Sequence, residues 1–215
     1  MINYKLIHMD LTMKLTDELL IAAEKVLISK GFEAATVEEI CLLAKSSRPT
    51  FYKRYKDKNA LFTAYVQTKS KMLSDSLEQM AGDITDRQSF IDVSKQYLAY
   101  MYREDVLTFH SLVVGEARHN SEIRQFFRDH LVAKHGQVRQ RVVTQLIISG
   151  QIEPTRNIPK LAKLLGSLIT SDSYYLTVAG GQDPMTEAVL DEFVQERCDL
   201  FLSVANGVMK NEVAA

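Results

Sequence analysis

Apolar residues along this chain recur every three to four positions, the spacing of a helix, and nowhere alternate between turn pairs as a strand would. Over residues 16–30, Leu19, Leu20, Ala23, Val26 and Leu27 form one stripe; Thr16 stands at the N-cap, Gly31 at the end, and Phe32 follows as an anchor. Thr36 and Glu39 have the spacing of a capping box, and Val37, Ile40, Cys41 and Ala44 give a second, short apolar face. Lys45 and Ser46 make a tight connection. Ser47 then caps a third helix with Pro49 in its first turn, where a missing N–H costs nothing, continued by Phe51, Tyr52 and Tyr55. Asp57 caps a fourth that starts at Lys58 and runs to about Met80, before Gly82, on Leu61, Phe62, Tyr65, Val66, Met72, Leu73 and Leu77.

The same spacing predicts helices over 86–103, 105–118, 121–149, 158–179 and 184–210, the third of these open to a break at Gly136. Pro159 and Pro184 read as first-turn residues, and Gly150, Gly180 and Gly181 as helix ends. About nine helices and no strand make an all-α fold. Residues 1–13 form an N-terminal extension, 14–62 a helix-turn-helix domain and 63–215 a second helical domain. With no repeat, low-complexity tract or flexible linker between them, the fourth helix is the expected junction.

Composition narrows the class. At 215 residues and 46% hydrophobic content, the chain can bury a core without disulfide or metal. Its two cysteines, Cys41 and Cys198, lie far apart and match no ligand spacing, so reduced, buried thiols are expected. No apolar run approaches the about twenty residues of a membrane span, and the first thirteen residues lack a signal-peptide core; a cytoplasmic protein without membrane contact is expected. The net charge of -1 hides a polarity: residues 1–70 carry 11 Lys and Arg against 8 Asp and Glu, and the rest is acidic. Within 45–58, Lys45, Arg48, Lys53, Arg54, Lys56 and Lys58 meet only Asp57. Such a run serves either as a solvated helix face or as a polyanion-binding surface.

A short helix at 37–44, a tight turn and a short basic helix at 48–54 have the layout of a helix-turn-helix, or of an ordinary helix corner with a basic surface. Major-groove entry needs small residues at the helix tip, with cations and hydroxyls for base edges and phosphates. Residues 47–54, Ser47 through Arg54, supply them: Phe51 is the inward anchor while Arg48, Thr50, Tyr52 and Lys53 are free to face DNA.

The stretch KGFEAATVEEICLLAKSSRPTFYKRYKDKNALF, residues 30–62, resembles the DNA-binding motif of the TetR family of transcriptional regulators. The resemblance implies that Thr36 caps the second helix at the DNA backbone. It also implies that Arg48, Pro49, Thr50 and Lys53 lie on the recognition helix, and that Tyr52 and Lys58 touch phosphates. For Lys58 the chemistry agrees, since a lysine at a helix start opposes the macrodipole unless an anion is near; a solvated lysine is the plain alternative. For Tyr52 the alternative is packing against a neighbouring helix. Two departures stand out. Lys45 and Ser46 replace the family's usual Gly-Val turn, which makes Lys45 a candidate phosphate contact, and Glu38 stands where some members place a basic or hydroxyl contact.

Residues 112–130, LVVGEARHNSEIRQFFRDH, are similar to a stretch in members likened to multidrug-efflux repressors, without that subgroup's hallmark proline. The resemblance implies a homodimer through the last two long helices, a small-molecule effector and a palindromic double-stranded operator. Leu161, Leu164, Leu165, Leu168, Phe193, Leu200, Phe201 and Val204 are the candidate interface, each of them equally a candidate for the intramolecular core. Tyr97, Met101, Phe109, His110, Phe126, Tyr174 and Tyr175 are candidate pocket residues, or core. Glu116 with His119, and His130 with His135, lack the partners of a metal site; no Gly-rich phosphate loop or nucleophile elbow appears, and Glu38 and Glu39 are explained by the helix dipole. No catalysis, cofactor or metal is expected. Rival readings are a nonspecific DNA binder, a helical interaction module and a small-molecule enzyme.

Overall fold

The computed structural model describes residues 17–79, 83–154 and 157–212; Thr16, Met80 and Gly82 lie outside them. Ten α-helices follow one another: α1 (Glu18–Ala34), α2 (Val37–Leu43), α3 (Arg48–Arg54), α4 (Lys58–Gln79), α5 (Arg87–Met101), α6 (Glu104–Ala117), α7 (Ser121–Phe126), α8 (Ala133–Ile148), α9 (Ile158–Val178) and α10 (Glu187–Glu212). A π-helical turn, Phe127–Val132, joins α7 to α8 in one helical run, which makes nine helices among the described residues, with no strand. The interruption expected at Gly136 falls in this wider turn instead. The chain forms two compact units, one of residues 17–76 with 108–131, the other of 77–107 with the described residues from 132 onward. Their boundaries fall inside α4, α6 and the π-helical turn.

In the first unit, local capping sets the helix ends. The Asp17 carboxylate accepts from the Leu19 N–H at 3.0 Å and caps α1. Gly31 leaves helical geometry at φ 75, a backbone open to glycine, and Phe32 turns inward. Thr36 and Glu39 form the expected capping box, Ser47 accepts from Thr50 N–H at 3.2 Å, and Asp57 from Ala60 N–H at 2.8 Å. Leu19, Ala23, Leu27, Ile40, Phe51, Leu61 and Phe62 are almost wholly buried, joined by Phe109, Val113 and Ile123 from later in the chain. Aromatic contacts run from Phe32 to Phe62 (centroids 4.8 Å), to Tyr65 (6.4 Å) and to Phe109 (6.0 Å).

The second unit packs α5, α8, α9 and α10. Arg87 meets Asp199 at 2.6 Å and Lys95 meets Asp191 at 3.1 Å, so α5 and α10 run antiparallel. Phe90 and Phe201 touch between them at 5.9 Å. Gly150 and Gly180 end α8 and α9 in left-handed conformation, each within a paired set of backbone bonds back to the last turn. Pro159 is in the first turn of α9, but α10 starts at Glu187, so Pro184 lies ahead of it. Helix α9 is also broken within: Ser171 takes φ 38, ψ -176, just after Thr170 turns its hydroxyl onto the Gly166 carbonyl at 2.6 Å. Side chains that bond the preceding turn bend helices in this way.

Candidate nucleic-acid interface

Helix α3 is pinned to the first unit by few groups. Phe51 is fully buried beneath it; Arg48, Pro49, Thr50, Tyr52 and Lys53 are exposed, as are Thr36, Lys45 and Ser47 nearby. At its far end Arg54 forms a two-pronged ion pair with Asp17, and the Tyr55 hydroxyl donates to the same carboxylate at 3.3 Å. Asp17 thus caps α1 and clamps α3 at once. Sequence reasoning missed this tie, because its partners are 37 and 38 residues apart; a second cap-forming side chain beside Thr16 was the signal available.

The turn before α3 keeps the geometry of a glycine turn without the glycine. Lys45 takes φ 50; its N–H donates to Leu42 O at 3.2 Å, and Ser46 N–H to Cys41 O at 2.9 Å. This is the pair of bonds that closes a Schellman C-cap. A lysine here bears the steric cost of left-handed backbone, on the order of 1 kcal/mol, and stands exposed beside α3.

Several candidates already have intramolecular partners. Arg48 pairs with Glu38 of α2 at 2.9 Å; Tyr52 beside it, and then Glu38, hold its guanidinium even more firmly protonated than usual. The Thr36 hydroxyl bonds Glu39, whose carboxyl is held below its ordinary range first by Lys30 and then by Thr36. Lys58 departs most from expectation. Its ammonium donates to the carbonyls of Phe32 (2.7 Å), Glu33 (3.1 Å) and Ala35 (2.9 Å), and sits 4.4 Å over the Phe32 ring. All three donors are used on the chain end of α1, where a cation complements the helix dipole. Lys45, Lys53 and Lys56 carry no ion pair among the described residues.

The candidate pocket residues divide between the units. Phe109, His110 and Phe126 belong to the first; Tyr97, Met101, Tyr174 and Tyr175 to the second. Phe109 and His110 are core, and burial lowers the His110 pKa to about 4, which keeps the ring neutral. Met101 and Tyr174 are buried, whereas Tyr175 is 68% exposed. Burial pushes the Tyr97 and Tyr174 hydroxyls up, so both stay protonated. Cys41 and Cys198 are free and buried, and burial pushes the Cys198 thiol up to about 11. Among the described residues no three His, Cys, Asp or Glu side chains cluster as metal ligands would, and no helix is long and apolar enough to cross a membrane.

Residues 19–65 match the family model described as bacterial regulatory proteins, tetR family, and residues 88–204 match that of the AefR-like transcriptional repressor C-terminal domain. No curated protein sequence matches the chain. Among solved structures, it is similar to a TetR-family transcriptional regulator from Mesorhizobium loti, with 21% identity and a TM-score of 0.78 over 87% of this chain and 94% of that one. A TetR family regulator from Pseudomonas syringae gives 17% identity and 0.69 over 88% and 97%. FadR from Bacillus subtilis, in complex with stearoyl-CoA, gives 15% and 0.64 over 86% and 97%. At these identities the solved structures speak for the fold.

Proposed function

This chain belongs to the TetR family of bacterial transcriptional regulators, and on that premise we propose that it is a homodimeric repressor which reads a palindromic operator through α3 and leaves it when a small molecule binds the second unit. The observation that carries the DNA reading is the exposure of α3. One fully buried side chain, Phe51, holds its inner face, while Arg48, Thr50, Tyr52 and Lys53 stand outward beside Lys45. Arg48 is the base reader in this proposal; its pair with Glu38 presets its direction, and an exposed pair of this kind exchanges readily for a nucleic-acid partner. Tyr52, Lys53 and Lys45 take phosphates, with Ser47 and Thr36 at the helix ends.

Dimerisation through α9 and α10 is supported by side chains left uncovered in the protomer. Leu161, Leu165 and Phe201 are buried in the protomer's own core, whereas Leu164, Leu168, Phe193 and Val204 remain partly exposed, and Leu200 is 41% and Val189 53% exposed. Apolar area on two consecutive helices fits a self-complementary four-helix contact. Effector binding in the second unit is supported by its aromatic interior and by the stearoyl-CoA bound to the FadR relative. Selection of duplexes from a random pool tests the reading: two half-sites related by a twofold axis, about 34–36 Å apart, are expected. Retention of the pool without enrichment would make the chain a nonspecific DNA binder.

A further inference from the structure

Among the described residues, Arg139 of the second unit combines a buried, unbonded nitrogen with the lack of an ion pair. Arg139 of α8 turns its side chain onto α9, where a Cβ added to Gly166 would lie 2.7 Å from its Nε and 2.9 Å from its Cζ; glycine at 166 makes the room. The Nε is buried without a hydrogen-bond partner. The guanidinium lies beside the Tyr97 hydroxyl of α5, which is 2.9 Å from Nδ1 of His135, one turn before Arg139 on α8. Among the described residues, no carboxylate stands within ion-pair reach of Arg139, although it is only partly exposed. A half-buried guanidinium propped by a tyrosine and a histidine, with donors to spare and no anion, is an expensive arrangement for a helical core. The nearby interior is apolar and aromatic, with Met101 buried and Tyr174 edge-on to Tyr102 at 5.8 Å.

We infer that the second unit binds an amphiphilic monoanion, a carboxylate on an apolar body, whose oxygens take the free donors of Arg139. Tyr97 and His135 fix the plane of the guanidinium, and Gly166 provides its space. One guanidinium balances one charge, whereas a phosphate ester or polyanion calls for several cations. The inference rests on the reading of the chain as a ligand-responsive regulator and names the chemistry of its effector.

Calorimetric titration of the full chain with hexanoate, decanoate and 2-naphthoate, each beside its primary amide, tests it. At least one acid is expected to bind about tenfold or more tightly than its amide, a preference abolished in Arg139→Gln. Arg139→Met, which removes the unbalanced cation, is expected to lose acid binding while melting about 2–4 °C higher. Amides binding as well as acids, an acid preference that survives Arg139→Gln, or no Arg139-dependent binding by any acid would overturn the site. DNA binding separates the two readings: an acid held through Arg139 that leaves operator affinity unchanged keeps this site and defeats the effector role. Release of the operator by the amides alone, unaltered in Arg139→Gln, does the reverse.

Discussion

Lys58 opens α4 where the positive end of a helix disfavours a cation, and three carbonyls at the end of α1 supply the reason for its position. Lys58→Met is therefore expected to lower stability by about 1.5–3 kcal/mol in chemical denaturation, with the salt dependence of DNA binding unchanged. Lys45 reverses this pattern. Its left-handed backbone burdens the fold and it is exposed beside α3, so Lys45→Gly is expected to stabilise by roughly 0.5–1 kcal/mol and to shrink the salt slope by about one. Denaturation and salt titration of both variants check the pair of assignments. The caps at Thr36, Ser47 and Asp57 were legible in the sequence because a cap acts over three residues. The clasp of Lys58 and the Asp17 clamp on Arg54 and Tyr55 span more than twenty residues of chain, and no local pattern marks them.

Elements follow the same rule. Stripes at helical spacing gave nearly every helix within two or three residues, since an amphipathic face must be buried wherever it lies. The features that escaped are backbone irregularities: the π-helical turn Phe127–Val132, the break at Ser171, and a start of α10 beyond Pro184. Each depends on what a helix packs against. Within α6, buried His110 makes stability depend on pH. Its pKa is lowered in the fold to about 4 from an ordinary 6.5, so between these values the unfolded chain takes up a proton that the folded chain refuses. This contribution is complete above pH 6.5 and declines by roughly 3 kcal/mol as pH falls to 4. Denaturation midpoints across that window are expected to fall in the wild type and to flatten in His110→Leu. An equal slope in both would place the acid sensitivity elsewhere.

At the scale of the molecule, the exposed basic surface of α3 was legible because its parts are consecutive in the chain. The seven candidate pocket residues divide between the two units, and Arg139 and Gly166, which meet in the second, carry no sequence signature. Helix α4, like α6 and the π-helical turn, contributes residues to both units, and in the proposed function it is the stretch of chain that leads from the second unit to α3. Such coupling requires the ligand to prefer one of two DNA-binding geometries. The most direct test of the central claim is equilibrium binding to the DNA upstream of its own gene, against a scrambled duplex of equal length at near-physiological salt, for wild type and Arg48→Ala. Binding of the upstream DNA by an even number of protomers, preferred over the scrambled duplex by at least about a thousandfold and largely lost in Arg48→Ala, is the expected result. Equal affinity for both duplexes, untouched by Arg48→Ala, would contradict it.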